Sequence, residues 1–292
     1  MNEVELLIES QNALGEGPMW GVREQALYWV DIMGHAFHRF DPASGARKQY
    51  DIGEEVGTVV LRESGGFVLA LRSGLAFWDE TNGLQPIIDP EPDKADNRFN
   101  DGAVDRQGRF WAGTMPMNTR EPIGALYRLD TDQSLHTMQT QVTVSNGLGW
   151  SPDNRIMYYC DTTPRTIWQY DFDPATGDIA NRRPFVVVPE AAGEGAPDGL
   201  TVDSEGFIWS ARWGGWKICR YDPDGKLERE VKIPAERVTS AVFGGPELED
   251  LYITSARMGF DPARDSATQP HAGGVFHLRP GVKGLPEPEY KG

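Results

Sequence analysis

Residues 198–210 read Asp198-Gly199-Leu200-Thr201-Val202-Asp203-Ser204-Glu205-Gly206-Phe207-Ile208-Trp209-Ser210, a two-residue mark followed by two apolar runs separated by a polar turn. Comparable marks recur along the chain at intervals of 40 to 52 residues. Self-similarity at this period is typical of propellers, solenoids and repeat arrays. The marks are Glu16-Gly17, Val56-Gly57, Asp101-Gly102, Asn146-Gly147, Asp198-Gly199 and Ser240-Ala241.

Each mark opens a unit of four strand-like runs. The second run is apolar and aromatic, as at 207–209, and the third ends in an aspartate, as at 167–171. Turns such as 41–45 then follow, because Asp accepts from its own backbone, Pro fixes φ and Gly tolerates positive φ. Runs of β-branched and aromatic residues between such turns predict strands. Six units of four antiparallel strands predict an all-β fold, a six-bladed β-propeller, as a single domain over residues 1–292.

The two ends of the chain bear on how the ring closes. The last unit has three recognisable strands, and its tail over 280–292 is rich in Pro and Gly, where a fourth strand is hard to find. The segment 4–8 precedes the first mark and is strand-like. We therefore expect the N-terminal strand to close the ring as the outer strand of the last blade, which removes exposed sheet edges.

Composition restricts the partners and the cellular compartment. Asp and Glu number 44 against 28 Lys and Arg, for a net charge of −16, which argues against nucleic acid or an anionic membrane as a partner. The chain starts without a basic and apolar signal segment and has no apolar run of about 18 residues, so a cytoplasmic protein without a membrane span is expected. Cys160 and Cys219 are predicted to be buried free thiols. Closed edges favour a monomer.

The marks also predict a cation site. They precede the innermost strand of each blade, where side chains face the central channel. Glu16, Asn100 with Asp101, Asn146 and Asp198 would bring carboxylate and amide oxygens to this channel. Such hard ligands suit Ca²⁺, Mg²⁺ or Mn²⁺. Asn-Gly and Asp-Gly are also common tight turns, but their shared position in successive units favours a site.

Several motifs together resemble the SMP-30/gluconolactonase family, also called the regucalcin or senescence-marker family. They occur in the family's order over most of the chain, and they are specific only in combination. The motifs are Leu14-Gly15-Glu16-Gly17-Pro18, Arg98-Phe99-Asn100-Asp101-Gly102, Gly113-Thr114-Met115, Gly124-Ala125-Leu126-Tyr127, Ser145-Asn146-Gly147-Leu148 and Pro197-Asp198-Gly199-Leu200.

The resemblance implies a six-bladed propeller with one divalent cation on its axis. By the family's pattern, Glu16, Asn146 and Asp198 would bind the metal. Arg98 would contact the substrate, and Asn100 would contact the substrate or a metal-bound water. The repeat spacing points instead to Asp101, one residue from Asn100. Asp101 is therefore a further candidate, expected to contact the binding residues and not the metal itself.

One departure concerns substrate specificity. Some members of the family have an acidic substrate contact four residues before Gly124, where this chain has Arg120, with Glu121 beside it. Either Glu121 replaces the acid or the sugar is held differently.

The resemblance implies hydrolysis of a sugar 1,4- or 1,5-lactone, of the gluconolactone or xylonolactone type, to the aldonic acid. The cation would polarise the carbonyl and Asp198 would activate water. Ca²⁺ is favoured, and Mg²⁺, Mn²⁺, Zn²⁺ or Fe²⁺ also suit these ligands. Two alternatives remain open: a non-catalytic cation-binding regulatory propeller and a phosphotriesterase-like hydrolase. The sequence does not distinguish among sugar lactones.

Overall fold

A computed structural model describes residues 3–292. Met1 and Asn2, at the start of the chain where no signal segment was expected, lie outside the described residues. The described chain contains one short helix, Pro262–Asp265, in the long connection of the last unit. All other regular elements are strands, as the repeat predicted. They are β1 (Glu5–Ile8), β2 (Gly15–Gly21), β3 (Ala26–Asp31), β4 (Ala36–Phe40), β5 (Arg47–Asp51), β6 (Val56–Leu61), β7 (Phe67–Leu71), β8 (Gly74–Asp79), β9 (Gly83–Ile88), β10 (Asn97–Val104), β11 (Phe110–Pro116), β12 (Gly124–Leu129), β13 (Leu135–Val142), β14 (Ser145–Trp150), β15 (Ile156–Asp161), β16 (Thr166–Phe172), β17 (Ile179–Val187), β18 (Ala196–Val202), β19 (Ile208–Trp213), β20 (Lys217–Tyr221), β21 (Leu227–Lys232), β22 (Val238–Gly244), β23 (Asp250–Ser255) and β24 (Val275–Leu278).

These strands form six four-stranded antiparallel sheets, the blades of a propeller. Five blades are consecutive, β2 to β5, β6 to β9, β10 to β13, β14 to β17 and β18 to β21. The sixth has the order β1-β24-β23-β22, with Leu6 opposite Phe276. The six-bladed fold and its closure by the N-terminal strand are therefore confirmed.

The cores between the blades are built from aromatic and β-branched residues. Trp111 and Trp209 are fully buried, and the indole Nε1 of each donates to Asp105 or Asp203, respectively, at 3.0 Å. These pairs satisfy the only polar atom of each buried indole ring. They also explain why an Asp precedes a Trp by six residues in two of the units.

The tail after β24 has a role that the sequence did not reveal. Residues 282–292, here called the C-terminal strap, cross the end of the ring where the inner strands finish. The Gly284 amide donates to Leu248 in the sixth blade, and the Tyr290 amide donates to Leu61 in the second. Residues 285–288 of the strap line the lower end of a central cavity of about 90 Å³. The strap therefore ties the sixth blade to the second and covers the channel from below.

The two cysteines are as expected. Cys160 and Cys219 are both free and buried. Burial raises the pKa of each thiol above its usual value, so both stay protonated and are poor nucleophiles. Across residues 3–292, no helix is long and apolar enough to cross a membrane.

His38 is expected to make the fold sensitive to acid. Its ring stacks on Trp29, with 4.8 Å between centroids, and within residues 3–292 its buried Nε2 has no hydrogen-bond partner. Burial lowers the pKa of His38 from 6.5 to about 4. The unfolded chain therefore takes up this proton first as the pH falls. The neutral ring therefore contributes on the order of 3 kcal/mol to the free energy of unfolding above pH 6.5. This contribution is lost as the pH falls from 6.5 towards 4.

Denaturant titrations between pH 7 and pH 4 test this expectation. His38→Phe keeps a ring against Trp29, and its unfolding free energy should fall less steeply with acid than that of the wild type. His35→Asn is the matched control, since asparagine tolerates the left-handed φ of 56° at that position, and it should follow the wild type. Parallel acid limbs for wild type and His38→Phe would contradict the assignment.

Candidate cation and substrate site

The innermost strand of each blade has an irregular register beside its mark. In β14 the regular pairing stops at Ser145 and resumes at Leu148, so Asn146 and Gly147 share one partner residue. The innermost strands of the other five blades have comparable irregularities. Bulges of this kind bend a strand and re-aim its side chains, and they are frequent beside active sites.

The bulges place three polar side chains at one structural position in neighbouring blades. Asn100 of β10, Asn146 of β14 and Asp198 of β18 are each the first residue of the bulge. The Asn100 amide nitrogen donates to the Asn146 side-chain oxygen at 3.1 Å and to the Ser145 carbonyl at 2.6 Å. The side chains of adjacent blades therefore meet near the axis.

In four of the six blades the first residue of the mark is one residue away from the start of the bulge: Glu16 and Val56 directly precede the bulge, and Asp101 and Ser240 directly follow its first residue. Phe99 pairs with Thr114 and Gly102 with Ala112, so Gly113 faces both Asn100 and Asp101. Asn100, not Asp101, is thus the structural counterpart of Asn146. Thr239 likewise takes the position that the spacing gave to Ser240. Asp101 lines the central cavity, and its supporting role stays a prediction. The end of the channel at which Glu16, Asn100, Asn146 and Asp198 lie is here called the entrance.

The glycines of the marks let the inner strands approach one another. A Cβ atom on Gly147 would collide with the backbone of Leu200 in the next blade, and one on Gly199 would collide with Ser240. Neither glycine has a positive φ. Close packing at the axis, rather than a tight turn, therefore requires glycine at these two positions.

The three predicted metal ligands are all deeply buried. Glu16 is 4 % exposed, and Asn146 and Asp198 are each 3 % exposed. Glu16 comes from the start of β2, and the amide of Gly17 donates to its Oε2 at 3.1 Å. The Asn146 Nδ2 donates to Thr162 at 2.8 Å, which fixes the amide with its oxygen side towards Asn100.

Burial and mutual repulsion make these carboxylates unstable as anions in the absence of a cation. Burial, together with repulsion from Asp198 and Asp101, raises the pKa of Glu16 well above its usual range. Burial and repulsion from Asp101 do the same to the pKa of Asp198, against attraction to Arg98 and the Asn146 amide. Burial raises the pKa of Asp101 to about 6. The entrance thus has more buried negative charge than its own positive charge balances.

Arg98 supplies the positive charge beside these carboxylates. It is 6 % exposed, and its Nη1 donates to the Asn100 Oδ1 at 2.6 Å and the Phe99 carbonyl at 2.9 Å. Burial lowers the pKa of Arg98 to about 10, although Glu16, Glu55 and Asp198 oppose this shift. Among the described residues, its buried Nε has no hydrogen-bond partner, so Arg98 retains an unused donor.

The donor set fits a hard divalent cation. No group of three or more His, Cys, Asp or Glu side chains within residues 3–292 is arranged to hold a metal ion. The expected set differs from such a group, because it combines the carboxylates of Glu16 and Asp198 with the amide oxygen of Asn146. Buried oxygen donors with excess negative charge suit Ca²⁺ or a similar ion, which would relieve the repulsion between the two carboxylates.

The structure does not join Glu121 or Arg120 to this cluster. Both are exposed in the connection between β11 and β12. Asn118 accepts from the Arg120 amide at 3.0 Å and donates to the Glu121 side chain at 3.4 Å, and the Glu121 carbonyl accepts from the Ile123 amide at 2.9 Å. The substrate contact assigned to Glu121 stays a prediction.

Sequence reasoning overlooked Glu55. This residue directly precedes β6 and is buried. Val56 pairs with Leu71 and Phe99 pairs with Thr114, and each is the last regular pair before the bulge of its blade. Glu55, which precedes Val56, therefore occupies the position that Arg98 has in the next blade. In the sequence, Glu54-Glu55 directly precedes the Val56 mark, and the acidic pair lies outside the mark itself.

Comparison with known proteins agrees with the motifs. A sequence model of the SMP-30/Gluconolactonase/LRE-like region matches residues 14–257. Regucalcin from Danio rerio is 40% identical over 294 residues, covering 99% of each chain. A 6-deoxy-6-sulfogluconolactonase from Pseudomonas putida is 40% identical over 294 residues, covering 100% of each chain. The crystal structure of a calcium-binding protein, regucalcin, from Agrobacterium tumefaciens has a TM-score of 0.91 at 29% identity, covering 98% of this chain and 96% of that chain.

These similarities extend along nearly the whole chain, and the matched residues 14–257 span the positions of every motif on which the resemblance was based. We conclude that the chain belongs to the SMP-30/gluconolactonase/LRE-like family.

Proposed function

We propose that this protein is a hydrolase of carboxylic ester bonds that opens a sugar lactone to the aldonic acid. The observation that carries this proposal is the convergence of Asn100, Asn146 and Asp198 from one bulge position, beside Glu16 and Arg98. The sulfogluconolactonase that is 40% identical over its full length supports the same reaction class.

We assign Glu16, Asn146 and Asp198 as the residues that hold one divalent cation. A cation held there would polarise the lactone carbonyl and stabilise the oxyanion that develops on it. Ca²⁺ is favoured, in line with the calcium-binding regucalcin of similar structure. Mg²⁺, Mn²⁺, Zn²⁺ or Fe²⁺ could use the same ligands.

We assign the remaining roles to groups at the same entrance. Asp198 accepts the proton of the attacking water, because it is the buried carboxylate next to Asn146 and Arg98. Arg98 and Asn100 hold the hydroxyl groups of the sugar, and Glu121 contacts it from the exposed connection above. A polar site of this type discriminates hydroxyl patterns better than an apolar one does.

A non-catalytic role is the second candidate. The Agrobacterium protein of similar structure is described as a calcium-binding protein, and a propeller can host many functions. A regulatory or scaffold propeller would use the same Glu16, Asn146 and Asp198 ligands. It would bind the cation without any lactone turnover, so an activity assay separates the two functions.

The test is lactone hydrolysis by chelator-stripped protein, with each divalent metal added back, over a panel of five- and six-carbon aldonolactones. Metal-dependent rates well above spontaneous ring opening would support the lactonase and identify both metal and sugar. Tight metal binding with no rate above background would favour the non-catalytic role and remove the proton-accepting role of Asp198.

A further inference from the structure

Glu55 stands at the entrance of the channel with a free acceptor. Its side chain is 11% exposed, and Oε1 accepts from Arg72 at 3.2 Å. Arg72 is itself anchored, since its amide donates to the Glu55 carbonyl at 3.0 Å and its Nη2 donates to Ala95 at 3.2 Å. Within the described part of the chain, no hydrogen bond reaches the second carboxylate oxygen, Oε2. The Arg72 contact orients the carboxylate and leaves one oxygen available.

Glu55 and Arg98 lie near each other in neighbouring blades. They occupy equivalent positions, because each directly precedes the residue that forms the last regular pair before the bulge. That residue is Val56 for Glu55 and Phe99 for Arg98. Glu55 is among the three carboxylates whose charge acts on the Arg98 guanidinium. Yet no nitrogen of Arg98 lies within 4.0 Å of a Glu55 oxygen among the described residues. Opposite charges therefore lie near each other without closing into an ion pair.

The two side chains have complementary hydrogen-bonding groups that remain unused: a donor on Arg98 and an acceptor on Glu55. The Arg98 side chain donates through Nη1 alone, so its Nη2 has no acceptor among the described residues, and Glu55 has an oxygen without a donor. A hydroxyl group can satisfy both, because it accepts one hydrogen bond and donates another. Leaving buried polar groups unsatisfied is unfavourable, so a ligand rich in hydroxyl groups suits this entrance.

We propose that Glu55 is a substrate-binding residue that accepts a hydrogen bond from one hydroxyl group of the lactone. The inference rests on the proposed lactonase function and makes its substrate class more specific, a lactone with a hydroxyl between Glu55 and Arg98. It also accounts for a carboxylate at the entrance of a chain that has Arg120 where an acid was expected. Glu55 supplies a carboxylate from another blade, in addition to the contact proposed for Glu121.

Glu55→Gln tests the proposal, with Glu54→Gln as the matched control. Glu54 is the adjacent acid, and its carboxylate accepts from Ser73 on the exposed surface. Both variants are first checked by thermal melting, and kcat and KM are then measured on the best lactone and on a set of analogues that each lack one hydroxyl group.

For Glu55→Gln we expect a rise in KM, with kcat changed less than about threefold, and a roughly 10- to 100-fold loss of kcat/KM on the full lactone. The loss should nearly vanish on one analogue, the one that lacks the hydroxyl bound by Glu55. Glu54→Gln should match the wild type. An equal loss on every analogue would show that Glu55 acts only through Arg98, and wild-type kinetics would show that it contributes nothing; either result overturns the proposal.

Calorimetric binding of gluconate and xylonate gives a readout that does not need turnover. Weaker aldonate binding by Glu55→Gln than by Glu54→Gln would support the contact even if the wild type opened no lactone, a result that would reject the lactonase function alone. Equal aldonate binding by the two variants, in a wild type that is an active lactonase, would reject the role of Glu55 alone.

Discussion

Replacing Asp198 by asparagine is expected to lower kcat for lactone hydrolysis by at least about 100-fold. The change removes one anionic ligand and the proposed proton acceptor together, and loss of a positioned base alone typically costs 10²- to 10⁴-fold. The fold should survive, because asparagine has nearly the same shape and the residue is held by its backbone in β18.

The same substitution is not expected to lower thermal stability, although it lowers kcat. In chelator-stripped protein, Asp198→Asn should melt no lower than the wild type, since it removes a buried charge that repels Glu16 and Asp101. Added Ca²⁺ should raise the melting temperature of the wild type more than that of the variant, because a ligand stabilises in proportion to its binding.

Asp101→Asn is the matched control for this experiment. It removes the same charge from the same channel but changes no predicted ligand, so kcat should fall less than about tenfold. Near-normal turnover by Asp198→Asn would remove Asp198 from the proton-accepting role. A loss as large in Asp101→Asn as in Asp198→Asn would indicate that net charge in the channel, rather than a specific ligand, controls the rate.

Replacing Tyr290 by alanine is expected to lower the unfolding free energy by about 3–5 kcal/mol, the usual range for removing a large buried aromatic side chain. Tyr290 is fully buried, its ring centroid lies 6.2 Å from that of Phe77, and its hydroxyl donates to the Asp130 carbonyl at 2.7 Å. The side chain anchors the C-terminal strap between the second and third blades.

Chemical denaturation and thermal melting measure this loss, with Tyr290→Phe as the control. Phenylalanine keeps the ring and loses only the hydroxyl bond, so about 1–2 kcal/mol should be lost. An alanine variant no less stable than the phenylalanine variant would show that the strap is not anchored by this ring. Because the strap covers the lower end of the channel, its release should also increase access of water to the cavity.

Much of the fold could be predicted from the sequence because its signals are local. The turn at 41–45 and the aromatic runs such as 207–209 specify strands through neighbouring residues alone, and their repetition specifies six blades. The strand at Glu5–Ile8 could be assigned to the last blade by counting, since one blade was one strand short. The strap could not be predicted, because its hydrogen bonds to Leu248 and Leu61 join residues far apart in the chain.

For the site, the sequence by itself determined which oxygen donors are available and that they recur at the marks of four of the six units, where they were expected near the axis. That followed from residue type and spacing, as with Glu16, Asn146 and Asp198. Only the tertiary structure decided which residue of each mark has its side chain at the shared position. A bulge changes the register by one residue without any change in composition, so Asn100 rather than Asp101 is the counterpart of Asn146. The proximity of Glu55 to Arg98 across two blades has the same cause: it depends on strand register and packing between sheets, which no local stretch of sequence contains.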